Sequence, residues 1–488
     1  MRTNLSKQLF LSAVLMLVIV PFSANAQLSV DSIYALLNRE VAAKRTPCIV
    51  VGLIDSTGKR QVVGAGRISE ANPASPNAFT MFEIASVTKV FTSLLLAEMS
   101  LQQKINLDSP FKKYLPANVF VPAYHGKEVT LMHLATHTAG YPRMPDNANM
   151  GILDNPFADY SEAQLYNYIS RFSYKREPGI QFQYSNVGYA LLGNIESRLT
   201  GKDFEALVKE RIGRPLGLKN TTIHLTAAQK AQLATGHSDY GRPVFNWDMP
   251  AIAGTGALRS NMADLLTFAA ANLGIIKSSL YAAMQFSHIP RIPKGPGEGQ
   301  VSMGWTVVSE KGHDFLWKDG TTAGYRSLIL LDRTKKNGIV VLSACLNPIN
   351  DIAYHILDTT YSIQPYRYKW GLLDTVLTTV KVSGAEAAIN LYHQLKQNNK
   401  STMAFDDTQL HYVATELRRN GRLKEAISIA KLNVKEYPSS SLVYESLGEL
   451  YRLAEDNKAA ISCFEKQLEV DPGNPHCYWL LSQLREKQ

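Results

Sequence analysis

A hydroxyl and an amine stand three residues apart in Ser86-Val87-Thr88-Lys89. On a helix that spacing puts both on one face, where a lysine can take the proton of a serine and make it a nucleophile. The pattern is short and occurs four times, at Ser56/Lys59, Ser86/Lys89, Ser109/Lys112 and Ser428/Lys431, so context must choose. Ser56 sits in the turn Asp55-Ser56-Thr57-Gly58-Lys59, Pro110 biases Ser109 away from helix, and Ser428 lies inside a helical repeat. Only Ser86 opens a helix whose continuation, residues 90–99, is apolar nearly all round, as in a helix that runs through the middle of a domain. Among Val87, Val90 and Phe91, Lys89 is expected to be desolvated, which lowers its pKa and lets it act as a base. The helix N-terminus adds partial positive charge beside Ser86, favouring oxyanion character there.

Two further stretches hold groups that such a serine would use. Tyr184-Ser185-Asn186 is the only Tyr-x-Asn in the chain and precedes an apolar helix at residues 190–195. The phenol can relay protons with Lys89, while the Asn186 amide can bond a substrate carbonyl or hold Lys89 in place. Lys318-Asp319-Gly320-Thr321 follows the strand-like residues 315–317 and precedes another strand at 327–331. Lys318 can hold an anionic substrate end, and Gly320 lets the backbone approach closely enough for the Thr321 amide to complete an oxyanion hole with the Ser86 amide.

These groups must be brought together by the elements between them. Strand-like runs lie early, at 49–54 and 60–66, and late, at 301–309, 315–317, 327–331 and 338–346, whereas 86–275 reads mostly as helix and loop. Strands from both ends with helices between them suggest one α+β domain.

Ser86-x-x-Lys89, Tyr184-x-Asn186 and Lys318-x-Gly320 together resemble the three active-site elements of the penicillin-recognising serine hydrolases. The branch they resemble holds class C beta-lactamases, D-alanyl-D-alanine carboxypeptidases and related esterases. Residues 134–142, 215–218, 254–260 and 320–325 resemble stretches of that family in the same order, and the likeness covers roughly residues 30–360. It implies an antiparallel sheet built from N- and C-terminal strands, flanking helices, and a helical insertion whose junction with the sheet forms the cleft. One position departs from the family. Asp319 stands where a hydroxyl is usual, and a carboxylate beside Lys318 would partly cancel the field that attracts a substrate carboxylate. That argues against efficient beta-lactam hydrolysis unless strand alternation turns Asp319 away from the cleft.

The 488 residues, 45% hydrophobic and 19% charged, suffice for at least two domains. Arg2 and Lys7, the apolar run 9–20 and Ala24-Asn25-Ala26 read as a signal peptide over 1–26, with cleavage after Ala26. The expectation is a periplasmic or secreted protein without a stable membrane anchor, because no cysteine follows the site and no later apolar run could span a bilayer. Removing Arg2 and Lys7 takes the formal charge from +9 to +7, too dispersed to argue for nucleic acid. Four cysteines do not make a disulfide scaffold; buried thiols are expected, with a pairing of Cys463 and Cys477 left open by export. His133 and His137 have a zinc-like spacing, but Leu134 stands where a glutamate would be needed, so a structural role for His137 is expected and neither metal nor cofactor.

The domain plan is a hydrolase domain at 27–363, a linker at 364–380 and helical repeats at 381–488. Leu410/Tyr444, Val413/Leu447, Leu417/Tyr451, Ala426/Ala460, Ala430/Phe464 and Pro438/Pro472 recur at an offset of 34, as in tetratricopeptide repeats. Such an array can dock a protein partner, or it can be a spacer or stabilising cap. The reading is an exported serine hydrolase forming an acyl-enzyme on D-amino-acyl peptides or esters, with Ser86, Lys89 and Tyr184 catalytic and Asn186, Lys318, Gly320 and Thr321 binding substrate. A beta-lactamase is the first alternative. A non-catalytic protein that binds through its cleft and repeats is the second, and the intact motifs argue against it.

Overall fold

Cys48–Ile54 is an unbroken apolar run with no polar position to turn toward water, and it forms a strand buried on both faces. In the computed structural model, which describes residues 28–148, 154–239, 241–310, 312–366, 371–398 and 405–486, this strand (β1) lies inside an eight-stranded antiparallel sheet. The strands are β1 Cys48–Ile54, β2 Arg60–Gly66, β3 Met81–Glu83, β4 Arg259–Asn261, β5 Ile292–Pro293, β6 Gln300–Val301, β7 Thr306–Glu310, β8 His313–Thr321, β9 Arg326–Asp332 and β10 Asn337–Ser343. The large sheet runs β2-β1-β10-β9-β8-β7-β6-β5, with β3 and β4 forming a separate ladder. Terminal strands thus pair across the chain, as expected. The strand expected over 301–309 is split, because Gly304 takes φ +81° between β6 and β7, where a side chain would meet the Lys89 carbonyl.

Alternation sorts the sheet into two cores. Leu316, Ile329, Leu331, Val340 and Leu342 pack with the helical half of the domain. Phe315, Leu328, Leu330, Ile339 and Val341 pack under the helices Val30–Ala42 and Asn350–Leu357. The register Lys318↔Ile329↔Val340 puts Lys318 on the first face, while Asp319↔Leu328↔Val341 puts Asp319 on the second. The helix Thr88–Leu101 crosses the first core, buried along almost its whole length, with Phe91 stacked on Phe268 at 4.3 Å.

From Gly371 onward the described elements are all helices. Gly371–Gln397 breaks at Gly384, and five helices follow: Asp407–Arg419, Leu423–Glu436, Ser441–Leu453, Asn457–Val470 and Pro475–Arg485. Their starts step by 34 residues, from 407 to 441 to 475 and from 423 to 457. Helix begins at Gly371, inside the stretch expected to be linker to 380, because Leu372, Leu373, Val376, Leu377 and Val380 bury one face against the repeats. All four cysteines are free thiols, Cys477 donating to the Phe464 carbonyl at 3.0 Å rather than pairing with Cys463. The signal-peptide segment 1–26 lies outside the described residues, among which no helix is long and apolar enough to cross a membrane.

Candidate active site

Ser86 does not begin the α-helix itself. It sits in a 3-10 turn, Ala85–Val87, that feeds directly into the helix Thr88–Leu101. Ala85 takes φ +47°, a left-handed conformation that costs a non-glycine residue energy and is held by its surroundings. The Ile84 N–H donates to the Leu258 carbonyl at 3.0 Å, and the Ile84 carbonyl accepts from Ser327 Oγ at 2.7 Å. Gly320 of β8 lies against this turn so closely that a Cβ would stand 2.4 Å from the Ile84 oxygen and 2.8 Å from the Ser86 nitrogen. Only glycine permits that approach.

Lys89 is fully buried one turn on. Its Nζ lies 3.2 Å from Ser86 Oγ, 2.8 Å from Asn186 Oδ1 and 2.7 Å from the Thr255 carbonyl. The last two can only accept. A neutral amine has two protons and one lone pair, so donating to Asn186 and Thr255 leaves its lone pair for the serine proton. Burial pushes its pKa down from 10.5 to about 8, the neighbouring Tyr184 opposing and Lys318 and Arg143 assisting that shift.

Tyr184 brings its hydroxyl to 2.7 Å from Ser86 Oγ. It is placed by the start of the helix Asn186–Thr200, whose cap Ser185 accepts from the Gly188 N–H and donates to the Pro142 carbonyl at 2.8 Å. Three cations surround its ring: Lys89 Nζ at 5.1 Å, Lys318 Nζ at 5.2 Å and the Arg143 guanidinium at 5.2 Å from the centroid. His137 packs against it at 4.5 Å. Burial and the nearby cations hold that imidazole neutral, and its Nδ1 accepts from the Ser185 N–H at 3.1 Å. His137 also lines the site cavity beside Ser86 and Tyr184. His133 completes a capping box with Thr130, and among the described residues no group of acidic, His and Cys side chains is placed to hold a metal.

Ser86, Tyr184, Lys318, Gly320 and Thr321 line one cavity of about 260 Å³. Asn186 reaches it indirectly, its Oδ1 on Lys89 and its Nδ2 donating to Met144 Sδ at 3.0 Å. Lys318 to Thr321, expected just beyond a strand, instead form the end of β8 itself, past the point where β7 stops pairing at Trp317. Burial lowers Lys318 to about 8, with Asp319 opposing and Lys294 and Arg143 assisting. Asp319 lies across the sheet from Lys318 yet still lines the cavity, because β8 is an open edge there. Sequence reasoning missed Arg143, Met144, Lys294 and the Thr255 carbonyl. The first two follow a stretch singled out at 134–142 and Thr255 lies inside the one at 254–260, though neither stretch marked these groups; Lys294 arrives through tertiary packing.

The family model described as "Beta-lactamase" matches residues 35–357. The D-alanyl-D-alanine-carboxypeptidase/endopeptidase AmpH of Escherichia coli K12 is 28% identical over 291 residues, 57% of this chain and 74% of that protein. A beta-lactamase of Lysobacter lactamgenus is 26% identical over 364 residues, 67% of this chain and 91% of its own length. Among solved structures, D-alanine carboxypeptidase AmpC from Burkholderia cenocepacia superposes with a TM-score of 0.57 at 25% identity, over 68% of this chain and all (100%) of its own. A beta-lactamase/D-alanine carboxypeptidase from Pseudomonas syringae gives 0.60 at 20% identity, covering 68% and 99%, a likeness of fold.

Proposed function

The chain belongs to the beta-lactamase family, whose relatives are acyl-transfer serine hydrolases, and we propose that it hydrolyses D-amino-acyl peptides or esters through an acyl-enzyme on Ser86. The observation that carries this reading is Lys89 Nζ at 3.2 Å from Ser86 Oγ with both its other contacts to acceptors. Ser86 Oγ adds to the substrate carbonyl carbon while its proton passes to Lys89, directly or through the Tyr184 hydroxyl. The tetrahedral oxyanion is held by the Ser86 and Thr321 amides. Collapse expels the amine or alcohol, which takes the proton back. Water then adds to the acyl-enzyme by the same proton route in reverse and frees the acid.

The cleft's charge supports an acyl donor with a free carboxylate. Lys318, Arg143 and Lys294 line it against the single carboxylate of Asp319, which favours an anion entering a partly dehydrated site. Asp319 is also why a peptide or ester is favoured over a beta-lactam. The signal-like segment 1–26 supports export, where such peptides occur. The deciding experiment is intact-mass spectrometry after exposure to D-alanyl peptides, activated esters and beta-lactams. An adduct lost in Ser86→Ala is expected; an adduct that persists in Ser86→Ala, or none with any donor, overturns the reading.

A further inference from the structure

Lys318 Nζ and the Arg143 guanidinium each lie 5.2 Å from the centre of the Tyr184 ring, so their separation is at most twice that distance. In the proposed reaction the Tyr184 hydroxyl can hand the serine proton back to the departing group, so cations around its ring face that end of the substrate. Lys318 is the buried member of the pair and suits a terminal carboxylate. Arg143 is exposed where it lines the same cavity. Its backbone is held: the Pro142 carbonyl accepts from Ser185 Oγ at 2.8 Å and the Arg143 carbonyl from the Asn186 N–H at 2.9 Å. Among the described residues no carboxylate pairs with its guanidinium; Asp146, the nearest acid in sequence, is taken by Arg171. Lys294, the third cation of the cavity, already has Glu298 at 3.7 Å and the Trp317 ring at 5.1 Å. Asp319 acts on Lys318 from the opposite face of β8. A single substrate carboxylate on Lys318 therefore leaves Arg143 without an anion.

We propose that Arg143 is a specificity-determining residue that takes a second anionic group on the departing side, so that the preferred donor is a D-alanyl peptide ending in an acidic residue. The α-carboxylate of that last residue meets Lys318, and its side-chain carboxylate meets Arg143. Two carboxylates on one residue bridge the two cations when each accepts a hydrogen bond of about 2.8 Å. A guanidinium suits the outer position, because its planar fork matches a carboxylate in two bonds. This recognition rests on the proposed reading of the site and extends it from one substrate anion to two.

The test uses the full chain and four N-acetylated donors: D-alanyl-D-glutamate, D-alanyl-D-glutamine, D-alanyl-D-alanine and D-alanyl-D-lysine. Glutamate and glutamine have the same shape, so their ratio in kcat/KM reads the second charge alone. A preference for glutamate of about fivefold is expected at low salt, the size of an ion pair open to water, and it should shrink as salt rises. Arg143→Gln should bring the ratio to near one, Arg143→Glu should turn the preference toward D-lysine, and Arg143→Lys should keep most of it. Each variant is read as a ratio between substrates, so a change in the folded fraction cancels. A wild-type ratio near one overturns the proposal. So does a loss in Arg143→Gln that is equal for all four donors, which would make Arg143 a support for Tyr184 instead. Calorimetric binding of the same peptides to Ser86→Ala separates recognition from reaction. Tighter binding of the glutamate peptide there, with no turnover by the wild type, keeps the anion site and refutes the hydrolase reading. Turnover without the preference refutes the anion site alone, and neither turnover nor a binding preference refutes both.

Discussion

The Tyr184 hydroxyl lies 2.7 Å from Ser86 Oγ, nearer than Lys89 Nζ at 3.2 Å. Both therefore reach the serine proton, but from different supports: Lys89 from the same helix, Tyr184 from a cap 98 residues away. The tyrosine is the shorter path and the lysine the group with two donors already committed. The proposed reading assigns the pair the roles of base and relay.

Lys89→Arg should abolish acylation by roughly 10²–10⁴-fold while the protein stays folded, because a guanidinium cannot give up its proton. Tyr184→Phe should lose less, since Lys89 still touches Ser86 directly. Burst amplitudes with a nitrophenyl ester measure both. Near-normal acylation in Lys89→Arg would place the base elsewhere.

The pH profile should depend on the substrate's charge. Lys89, lowered to about 8, must be neutral to accept a proton, so kcat/KM for a neutral ester should rise with pH and level off above 8. Lys318, also lowered to about 8, must be charged to hold a carboxylate, so an anionic substrate should show a bell centred near 8. A plateau for both would remove Lys318 from recognition. Because both lysines sit below 10.5 in the folded chain, the unfolded chain binds more protons between pH 8 and 10.5. Their contribution to stability therefore grows as pH rises through that window.

Ser86 and Lys89 were legible because one helix turn makes them neighbours whatever the rest of the chain does. Tyr184 and Lys318 were legible by type and order but not by place, since only the β8–β9 register and the cap at Ser185 bring them to the same cavity. The Thr255 carbonyl carries no residue-type signal at all, being a backbone group. Lys294 reads as a loop cation until the fold sets it 5.1 Å over the Trp317 ring. The side of the sheet taken by Asp319 was undecided in the sequence, because alternation has two phases and only the strand partners choose one.

Gly320→Ala should reduce acylation by roughly 10²-fold or more, since its Cβ would press on the Ile84 oxygen and the Ser86 nitrogen and displace the oxyanion donors. Far-ultraviolet dichroism should stay native while the ester burst disappears. Full activity would mean that β8 can move away from the nucleophile turn without cost.

Asp319→Thr tests whether the carboxylate restrains beta-lactam turnover. Although it lies on the face opposite Lys318, Asp319 lines the cavity at the sheet edge, so its field reaches an anionic substrate. The variant should raise turnover of a carboxylate-bearing beta-lactam over a neutral ester by about 3- to 10-fold, as expected for removing one nearby like charge in a partly screened site. An unchanged ratio would mean that the open edge is screened from the substrate.

Ending the chain at Pro365 removes Asp374, Arg418, Arg419 and His476, and with them the contacts to Arg242, Asp154 and Asp146. No residue that touches Ser86 is lost, so the turnover number on a small ester should stay within about threefold, a shift of under 1 kcal/mol in the barrier. Stability should not be spared. Losing several partly buried pairs should cost a few kcal/mol, or roughly 5–10 °C in Tm. Melts and ester kinetics of both lengths separate three arrangements. An unchanged Tm would make the helices an independent module. A lowered Tm with the turnover number kept is the expected result, a cap that steadies the hydrolase without joining its chemistry. A folded truncation that no longer acylates would mean that the repeats hold the nucleophile turn.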